Sequence, residues 1–511
     1  MKLSLSSTSL KLSSPVGEHD QRVGSPRAMG YCRNPALFRI VLGFTIGFAA
    51  FIRIAHLGTK SLWSDEVASI VIAKLHWADF WRVVTTNEAN MSFYYLLLRL
   101  WVHLGDQPSS VKFLSVLPGV AVILVLYWIG REILSREAGI LAALLLSVNV
   151  FHIRYSQEAR SYSLVVLLVA LSFLSFLRCV RQQDHSWGAC HVVFSVLALY
   201  AHFFAALALF AQLVSLVFLP RSGKLAYKQV RRFSIIVVLG APLLWFVLFR
   251  SSGQLDWLHP ATAKELYHLF LYMTGSGLKF GIALVAFVIA LRVWASRARE
   301  QWTMQTWSFA VLVLWLFLPI CITFVTSFWK PVFLARFLIV CLPAAMLLIA
   351  YGLVEISQQR IRYALVILMI LSAIRPIRAY YAEPGPQDWR SAVGYIAGNA
   401  SAGNIAFLPN GYCEMPLRYY IDHAGEVPTF PVIVSAAPEK IRGKLLNGSG
   451  HIWVVSCEAV RVLPTIPGYS AEHVRRFEGI VVTEFARTPL AQQERFTPSA
   501  LPCPRGRREW S

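Results

Sequence analysis

The stretch RSGKLAYKQVRR, residues 221–232, separates two long apolar runs and carries five Lys or Arg residues and no acid. Short loops rich in Lys and Arg lie preferentially on the cytoplasmic side of a membrane. The flanking runs, residues 203–219 and 233–250, approach the roughly 20 residues that cross a hydrocarbon core. The stretch therefore predicts two membrane-spanning helices joined on the cytoplasmic side.

The composition of the whole chain agrees with this prediction. Of 511 residues, 56% are hydrophobic and 15% are charged, and the mean hydropathy is +0.54. A soluble protein has about 25% charged residues. The net charge of +21 could suit nucleic acid, but the basic residues lie in short clusters between apolar runs, which is typical of membrane orientation signals. We therefore expect a multi-pass membrane protein and no nucleic-acid partner.

The remaining basic clusters fix the path of the chain. They lie at Arg33 and Arg39, Arg131–Arg136, Arg178–Arg181, Arg292–Arg299 and Arg360–Arg362. If all six clusters are cytoplasmic, an even number of crossings separates each consecutive pair. About 11 spans satisfy this rule, at residues 36–57, 111–133, 137–153, 162–180, 187–201, 203–219, 233–250, 277–294, 307–327, 334–355 and 361–381.

One apolar segment is too short to cross. MSFYYLLLRLWVHL, residues 91–104, contains Arg99 and His103 and would reach about 21 Å as a helix, against a core of about 30 Å. We place it as an amphipathic or partly inserted helix on the outer face. The segments that are then extracytoplasmic are 58–110, 151–162, 200–202, 251–276, 328–336 and the chain after about 383.

The sequence after 383 is less apolar and predicts a small α/β domain. DWRSAVGYIAGNA, 388–400, has helical spacing, whereas NIAFLPN, HIWVVSC and GIVVTEF are typical of short strands. Cys413 and Cys457 could pair if this region is extracytoplasmic. The predicted domains are a disordered cytoplasmic tail (1–34), a membrane domain (35–382), the extracytoplasmic α/β domain (383–486) and a disordered basic tail (487–511).

Charged side chains gather in the outer loops. SLWSDEVAS, 61–69, places Asp65 beside Glu66. Such acids can cap a helix that begins near Val67, because carboxylates favour helix N-termini. Alternatively, one of them is a general base that takes a proton from an incoming hydroxyl. The sequence leaves both interpretations open.

Two further outer loops carry arginine against the positive-inside bias. RYSQEARSY, 154–162, holds Glu158 and Arg160 with Tyr155 beside them, and KPVFLARF, 330–337, holds Lys330 and Arg336. These cations could bind a lipid phosphate through charge-assisted contacts, or they could simply anchor the chain at the interface.

No cofactor is required by the sequence. His56, His152 and His202 lie near the outer face and could join Asp65 and Glu158 in a site for a divalent cation, Mg²⁺ or Mn²⁺, but no ligand spacing demands one.

Taken together and in this order, WSDE, YYLLLRLW, YSQEARSY and KPxFxxRF resemble motifs of the GT-C class of polyprenyl-phosphate-sugar-dependent glycosyltransferases. Within this class the chain looks most similar to a bacterial branch that resembles glycosyltransferase family 39. That branch is related to protein O-mannosyltransferases and to the lipid A aminoarabinose transferase. The resemblance covers roughly residues 36–382. One departure is ANMSF, 89–93, where many relatives have HPP, so that Glu88 or Asn90 could replace a histidine there.

The resemblance implies an inverting transferase that moves a sugar from a polyprenyl phosphate to a hydroxyl on a lipid, polysaccharide or protein, at the periplasmic side of a bacterial inner membrane. It implies catalytic roles for Asp65, Glu66 and Glu158. It also places Arg160 in the active site and implies that Arg336 binds the lipid phosphate. We add Lys330 and Tyr155, from the same outer loops, as candidate donor-binding residues.

Three alternatives remain at this point. A transporter or flippase of lipid-linked saccharides predicts ionisable residues in the middle of spans, yet residues 203–219 and 233–249 contain none. A sensor or scaffold that works through its outer domain leaves the charged loops unexplained. A related enzyme could use oligosaccharide donors instead of monosaccharide donors.

Overall fold

A computed structural model describes residues 35–220, 223–250, 258–401, 404–424, 431–435, 450–457, 466 and 468–488. The predicted tail 1–34 and all but the first two residues of the predicted tail 487–511 lie outside these ranges. The internal contacts divide the chain after Phe44. Apart from the first turns of helix α1, everything below concerns the unit that begins at Thr45.

Most described residues are helical. The α-helices are α1 Pro35–Ile54, α2 Ser64–Lys74, α3 Trp77–Thr86, α4 Ser92–Trp101, α5 Pro108–Ile133, α6 Arg136–Ser147, α7 Val150–Ser156, α8 Tyr162–Gln182, α9 His185–Ala201, α10 Ala205–Ser215, α11 Gly223–Phe249, α12 Ala263–Thr274, α13 Gly277–Glu300, α14 Met304–Thr326, α15 Leu342–Val354, α16 Gln359–Leu371, α17 Ile374–Ala382, α18 Trp389–Asn399 and α19 Glu414–His423. Short 3₁₀ helices are found at Ala89–Met91, Val102–Leu104, Leu216–Phe218, Ala335–Cys341 and Gly411–Cys413.

The described helices include eight that are long and apolar enough to cross a membrane, and nine if the bent pair α6–α7 is counted as one span. Every one of the predicted span segments is helical, but α9 and α10 are shorter than a full span. The most buried spans are α8 and Ala335–Val354, so the core of the bundle lies around them. The prediction of a helical multi-pass membrane protein is confirmed.

A break between α6 and α7, with a bend of 63°, positions the outer loop that follows it. Breaking a helix frees backbone carbonyls, which must be satisfied away from water. The buried side chain of Arg53 donates to Ser147 O at 3.0 Å and Leu146 O at 3.3 Å, and its Nη2 lies 2.8 Å from His152 Nδ1. Asn149 then starts α7 by accepting from the backbone N–H of His152 at 3.0 Å. The bend is therefore a fixed feature.

The outer loop 58–110 is built from short helices. The segment 91–104 folds as α4, ten residues long, followed by the 3₁₀ turn Val102–Leu104, which is too short to span. The guanidinium of Arg99 holds this segment to the C-terminal end of α2 by donating to Ala73 O at 3.0 Å and Leu75 O at 2.6 Å. This part of the chain thus folds back over the ends of the spans.

The C-terminal region forms a five-stranded sheet in the order β2-β1-β3-β5-β4. Its strands are β1 Ile405–Leu408, β2 Val432–Val434, β3 Ile452–Ser456, β4 Tyr469–Phe477 and β5 Ile480–Arg487. Strand β1 pairs in parallel with β2 and β3, whereas β5 is antiparallel to β3 and β4. The predicted helix at 388–400 and the three predicted strands are confirmed, and β2, β4 and α19 were not predicted.

Candidate active site

The acid pair lies at the start of α2, and its two members have different environments. Glu66 is buried with 1% exposure, and its carboxylate accepts the backbone N–H of Trp63 at 3.2 Å and that of Ala159 at 2.7 Å. Lys112 Nζ lies 4.0 Å away. Burial raises the pKa of Glu66, although Lys112 and the two N–H groups oppose that shift. Glu66 thus joins the N-terminal end of α2 to the turn at residues 157–161.

Asp65 is more accessible. Its Oδ2 lies 3.7 Å from Arg160 Nη2, and its Oδ1 accepts the phenol O–H of Tyr412 at 2.8 Å. Arg160 Nη1 also donates to Asp65 O and Ser69 Oγ, both at 3.4 Å. One carboxylate oxygen therefore lies near a guanidinium, and the other accepts a hydrogen bond from a hydroxyl.

Hydrogen bonds with α1 and α5 residues hold the turn that carries Glu158 and Arg160. Gln157 donates its amide to Arg53 O at 2.9 Å, and Ser115 Oγ donates to Arg160 O at 3.2 Å. Burial raises the pKa of Glu158 to about 7, and the charge of Glu66 adds to this effect. In the part of the chain that the structure describes, the Glu158 side chain has neither a hydrogen bond nor an ion pair within 4.0 Å.

The 3₁₀ helix Ala335–Cys341 brings Arg336 to the same place. Its guanidinium carbon lies 5.9 Å from the centre of the Trp63 ring, and the charges of Asp65 and Arg160 act on it. Tyr155 packs edge-on against Tyr162, with ring centres 4.9 Å apart, and both phenols face Arg336. The two loops that the sequence analysis singled out thus meet at the start of α2.

Lys330 is the exception among the predicted site residues. It is exposed in the turn that follows α14, and within the described ranges no contact joins it to Asp65, Glu158 or Arg160. The turn at Pro331 and the residues after it separate Lys330 from Arg336, so that only the arginine turns towards α2. The structure thus brings Asp65, Glu66, Glu158, Arg160, Arg336 and Tyr155 together and leaves Lys330 apart.

Comparisons with known proteins concern the fold of the chain. Residues 91–246 match the dolichyl-phosphate-mannose-protein mannosyltransferase family. No curated protein matches the chain in sequence. Among solved structures, ArnT from Cupriavidus metallidurans in the apo state superposes with a TM-score of 0.61 at 12% identity, over 88% of this chain and 98% of that one.

Two further structures are similar. ArnT bound to undecaprenyl phosphate gives a TM-score of 0.55 at 11% identity, over 88% of this chain and 98% of that one. The Archaeoglobus fulgidus oligosaccharyltransferase, in complex with Zn and sulfate, gives 0.51 at 13% identity, over 83% of this chain and 68% of that one.

This chain has the GT-C-like fold. The identities are too low to carry an activity, but the predicted fold class is confirmed.

Within this GT-C-like fold, the C-terminal region contributes a residue that sequence reasoning did not find. Tyr412 lies in the 3₁₀ turn Gly411–Cys413, and the neighbouring Cys413 forms a disulfide with Cys457. Asn410 Oδ1 accepts the backbone N–H of Tyr412 at 3.0 Å. No motif marks this tyrosine, because it is 347 residues from Asp65 in the sequence.

Further contacts hold the C-terminal region to the start of α2. Gln387 Oε1 accepts both the backbone N–H and the hydroxyl of Ser64, at 2.9 and 2.7 Å. The Tyr420 hydroxyl accepts the backbone N–H of Leu62 at 2.6 Å. Asp65 therefore lies on a helix end that two parts of the chain hold in place.

Glu88 is a further acid near this site. It accepts the Tyr95 hydroxyl at 3.0 Å, burial raises its pKa, and the charges of Arg160 and Asp65 act on it. Its neighbour Asn90 instead accepts the backbone N–H of Phe203 at 3.0 Å. Of the two residues considered as replacements for a family histidine, Glu88 is thus the one that faces the site.

Two of the three histidines considered as metal ligands, His152 and His202, lie near arginines. His152 contacts Arg53, and burial lowers the pKa of His202 to about 3, an effect to which Arg160 and Arg336 add. Among the described residues, no group of three or more His, Cys, Asp or Glu side chains is placed to hold a metal ion. The expectation that no cofactor is required, with Mg²⁺ or Mn²⁺ as the alternative, stays a prediction.

The two members of the acid pair should differ in their effect on stability. We expect Glu66→Ala to lower the free energy of unfolding by about 2–3 kcal/mol, because it leaves two buried N–H groups without an acceptor. Asp65→Asn should change it by less than about 1 kcal/mol, because the site is partly solvated. Denaturation of the purified variants in detergent measures both. Equal losses for the two variants would contradict the separate roles.

Proposed function

We propose that this protein is an integral-membrane inverting glycosyltransferase. In this proposal it moves a sugar from a polyprenyl-phosphate donor to a hydroxyl acceptor at the periplasmic face of a bacterial inner membrane. The observation that carries the proposal is the meeting of an accessible carboxylate, Asp65, with the guanidinium groups of Arg160 and Arg336. The GT-C-like fold and the partial family match support it.

Asp65 is the proposed general base. A base must lie within hydrogen-bond reach of the proton that it removes. The Tyr412 phenol demonstrates that a hydroxyl can approach Oδ1 to 2.8 Å from the side of the C-terminal region. In the reaction, the acceptor O–H gives its proton to Asp65 while its oxygen bonds to the anomeric carbon from the face opposite the phosphate. Direct displacement inverts that carbon.

Arg160 and Arg336 are the proposed phosphate-binding groups. As the bond between the anomeric carbon and the phosphate oxygen breaks, negative charge grows on the departing polyprenyl phosphate. Guanidinium groups in a largely buried site stabilise that charge more effectively than water does. Arg160 lies 3.7 Å from Asp65, and Arg336 lies 5.9 Å from the Trp63 ring, two residues before Asp65 in the sequence. The base and the leaving group can therefore flank one sugar. The neighbouring ArnT was solved with undecaprenyl phosphate bound, which agrees with a lipid phosphate ligand.

The donor's apolar tail has a candidate position. An apolar cavity of about 620 Å³ opens beside Ala89, the residue after Glu88. Helices α3 and α4 form one side of it, and helices α9 and α11 form the other. Phe93, Leu197 and Phe246 are among its lining residues. We assign the isoprenoid chain to this cavity because its walls offer few polar groups.

The periplasmic location rests on the disulfide and on the basic clusters. Cys413 and Cys457 are bonded with Cα atoms 5.8 Å apart, and structural disulfides persist in oxidising compartments such as the periplasm. The disulfide flanks Tyr412, which touches Asp65. The site therefore faces the same compartment as the disulfide.

We expect Asp65→Asn to lower sugar transfer at least about 100-fold, because general-base catalysis contributes factors of this size. The measurement is mass spectrometry of membrane glycolipids and glycoproteins from a deletion strain that carries the unmodified protein, Asp65→Asn or Asp79→Asn. Asp79 is a matched control, an exposed acid of the same outer loop that pairs with Arg82.

The control should restore the product, and Asp65→Asn should not, at equal protein levels. Near-normal product with Asp65→Asn would remove the assignment of the base. Release of free polyprenyl phosphate during turnover separates a transferase from a flippase, because a flippase leaves the sugar–phosphate bond intact.

Donor affinity should depend on pH through Glu158. Below its pKa of about 7 this carboxyl is neutral and does not offset the positive charges of Arg154, Arg160 and Arg336, which act on it. Above pH 7 it ionises and offsets that charge, so the apparent KM for a polyprenyl-phosphate sugar should rise as the pH passes 7. Lys60 adds to this effect. Burial lowers its pKa to about 8, so it loses its positive charge as the pH rises above that value.

Glu158→Gln isolates the contribution of the carboxyl. Its donor KM should show a smaller rise between pH 6 and pH 8 than that of the unmodified protein. An identical rise in both proteins would exclude Glu158 as the titrating group.

A further inference from the structure

A basic concavity lies at the end of the bundle formed by α9 and α11, away from the candidate active site. Its volume is about 510 Å³, and its lining residues include His185, Lys224, Tyr227, Lys228, Arg231 and Arg232. Apart from His185, which begins α9, these residues belong to the basic segment 221–232. Orientation in the membrane explains the sign of their charge but does not require a concavity.

The register of α11 separates an inner and an outer face. Leu225, Gln229 and Phe233 recur at every fourth residue and are buried, and α11 packs there against α9. Lys224 and Lys228 are exposed on another face. These two lysines therefore point away from the packing surface of their own helix.

The charge of this concavity is not neutralised by acids. No ion pair among the described residues includes Lys224, Lys228, Arg231 or Arg232. The nearby Asp184 uses its carboxylate to cap α9, accepting the backbone N–H of Ser186 at 2.8 Å and its hydroxyl at 2.7 Å.

Arg232 is held in a fixed position. Its Nη1 donates to Cys179 Sγ at 2.9 Å. The guanidinium also packs directly against α9 at Gly188. The approach is so close that a Cβ atom at position 188 would lie only 2.3 Å from Nη2. The site thus contains a pre-positioned cation that contacts no acid.

The same face of α11 becomes apolar one turn further on. Lys224, Lys228, Arg231, Ile235 and Val238 follow the spacing of one helical stripe. Ile235 is 44% exposed and Val238 is 69% exposed. A stripe that changes from cations to exposed aliphatic side chains matches a molecule with a phosphate at one end and acyl chains at the other.

We propose that this concavity binds the phosphate headgroup of an anionic phospholipid, whose acyl chains lie along Ile235 and Val238. Basic pockets between membrane helices are suited to such headgroups. Tyr227 is 70% exposed and lies six residues before the predicted span that begins at 233, a position that suits the preference of aromatic residues for the membrane interface. This inference is independent of the proposed transferase activity.

Lipid binding to the full-length protein, purified in dodecyl maltoside, tests the inference. Native mass spectrometry should detect retained dioleoyl phosphatidylglycerol and little dioleoyl phosphatidylcholine. The double variant Lys228→Gln/Arg231→Gln should bind phosphatidylglycerol about thirtyfold more weakly, since each cation near a lipid surface contributes about 1 kcal/mol.

Arg299→Gln/Arg360→Gln is the matched control, because it removes two exposed cations from other predicted cytoplasmic clusters. It should bind as the unmodified protein does, and Lys228→Arg/Arg231→Lys should retain binding because it keeps the charge. Equal binding by Lys228→Gln/Arg231→Gln and the unmodified protein would overturn the inference. So would equal retention of phosphatidylcholine, or complete displacement of the lipid by millimolar inorganic phosphate.

Discussion

The carboxylate of Glu66 connects two segments that are 93 residues apart, and the geometry of the candidate site depends on this connection. One oxygen accepts the N–H of Trp63 at the start of α2, and the other accepts the N–H of Ala159 in the turn after α7. Breaking such buried, charge-assisted bonds costs more than breaking surface contacts. Because Arg160 follows Ala159 and Asp65 precedes Glu66, this bridge places an acid and a cation side by side.

Other contacts limit the freedom of the same site. Arg53 satisfies the carbonyls at the bend between α6 and α7, and Gln157 ties the following turn to the end of α1. From the outer side, Gln387 and Tyr412 contact the start of α2. A proposed base that must meet an acceptor on one side and a lipid phosphate on the other benefits from such rigid placement, because catalysis depends on pre-oriented groups. Membrane and outer regions therefore build one site.

Much of the fold could be predicted because span length and basic clusters are local signals, and the helices lie where the apolar runs predicted them. The roles of Asp65 and Glu66 could not be separated, because adjacent acids look alike until their distant partners are known; one is a cap and the other faces Arg160. Lys330 carries the same charge as Arg336, but the turn between them decides which faces the site. Tyr412 had no signal, since its contact is set by the sheet and the disulfide of the C-terminal region.

The central claim is that carboxylate and guanidinium groups from separate loops share one aqueous compartment. Single Asp65→Cys and Arg336→Cys variants test it most directly with a membrane-impermeant maleimide. The background protein has Cys32, Cys179, Cys190, Cys321, Cys341 and Cys503 replaced and keeps only the disulfide pair. Both variants should be labelled from the side that carries the Cys413–Cys457 disulfide, and Lys228→Cys only from the other side. Labelling of the Asp65 and Arg336 positions from opposite sides would contradict the account.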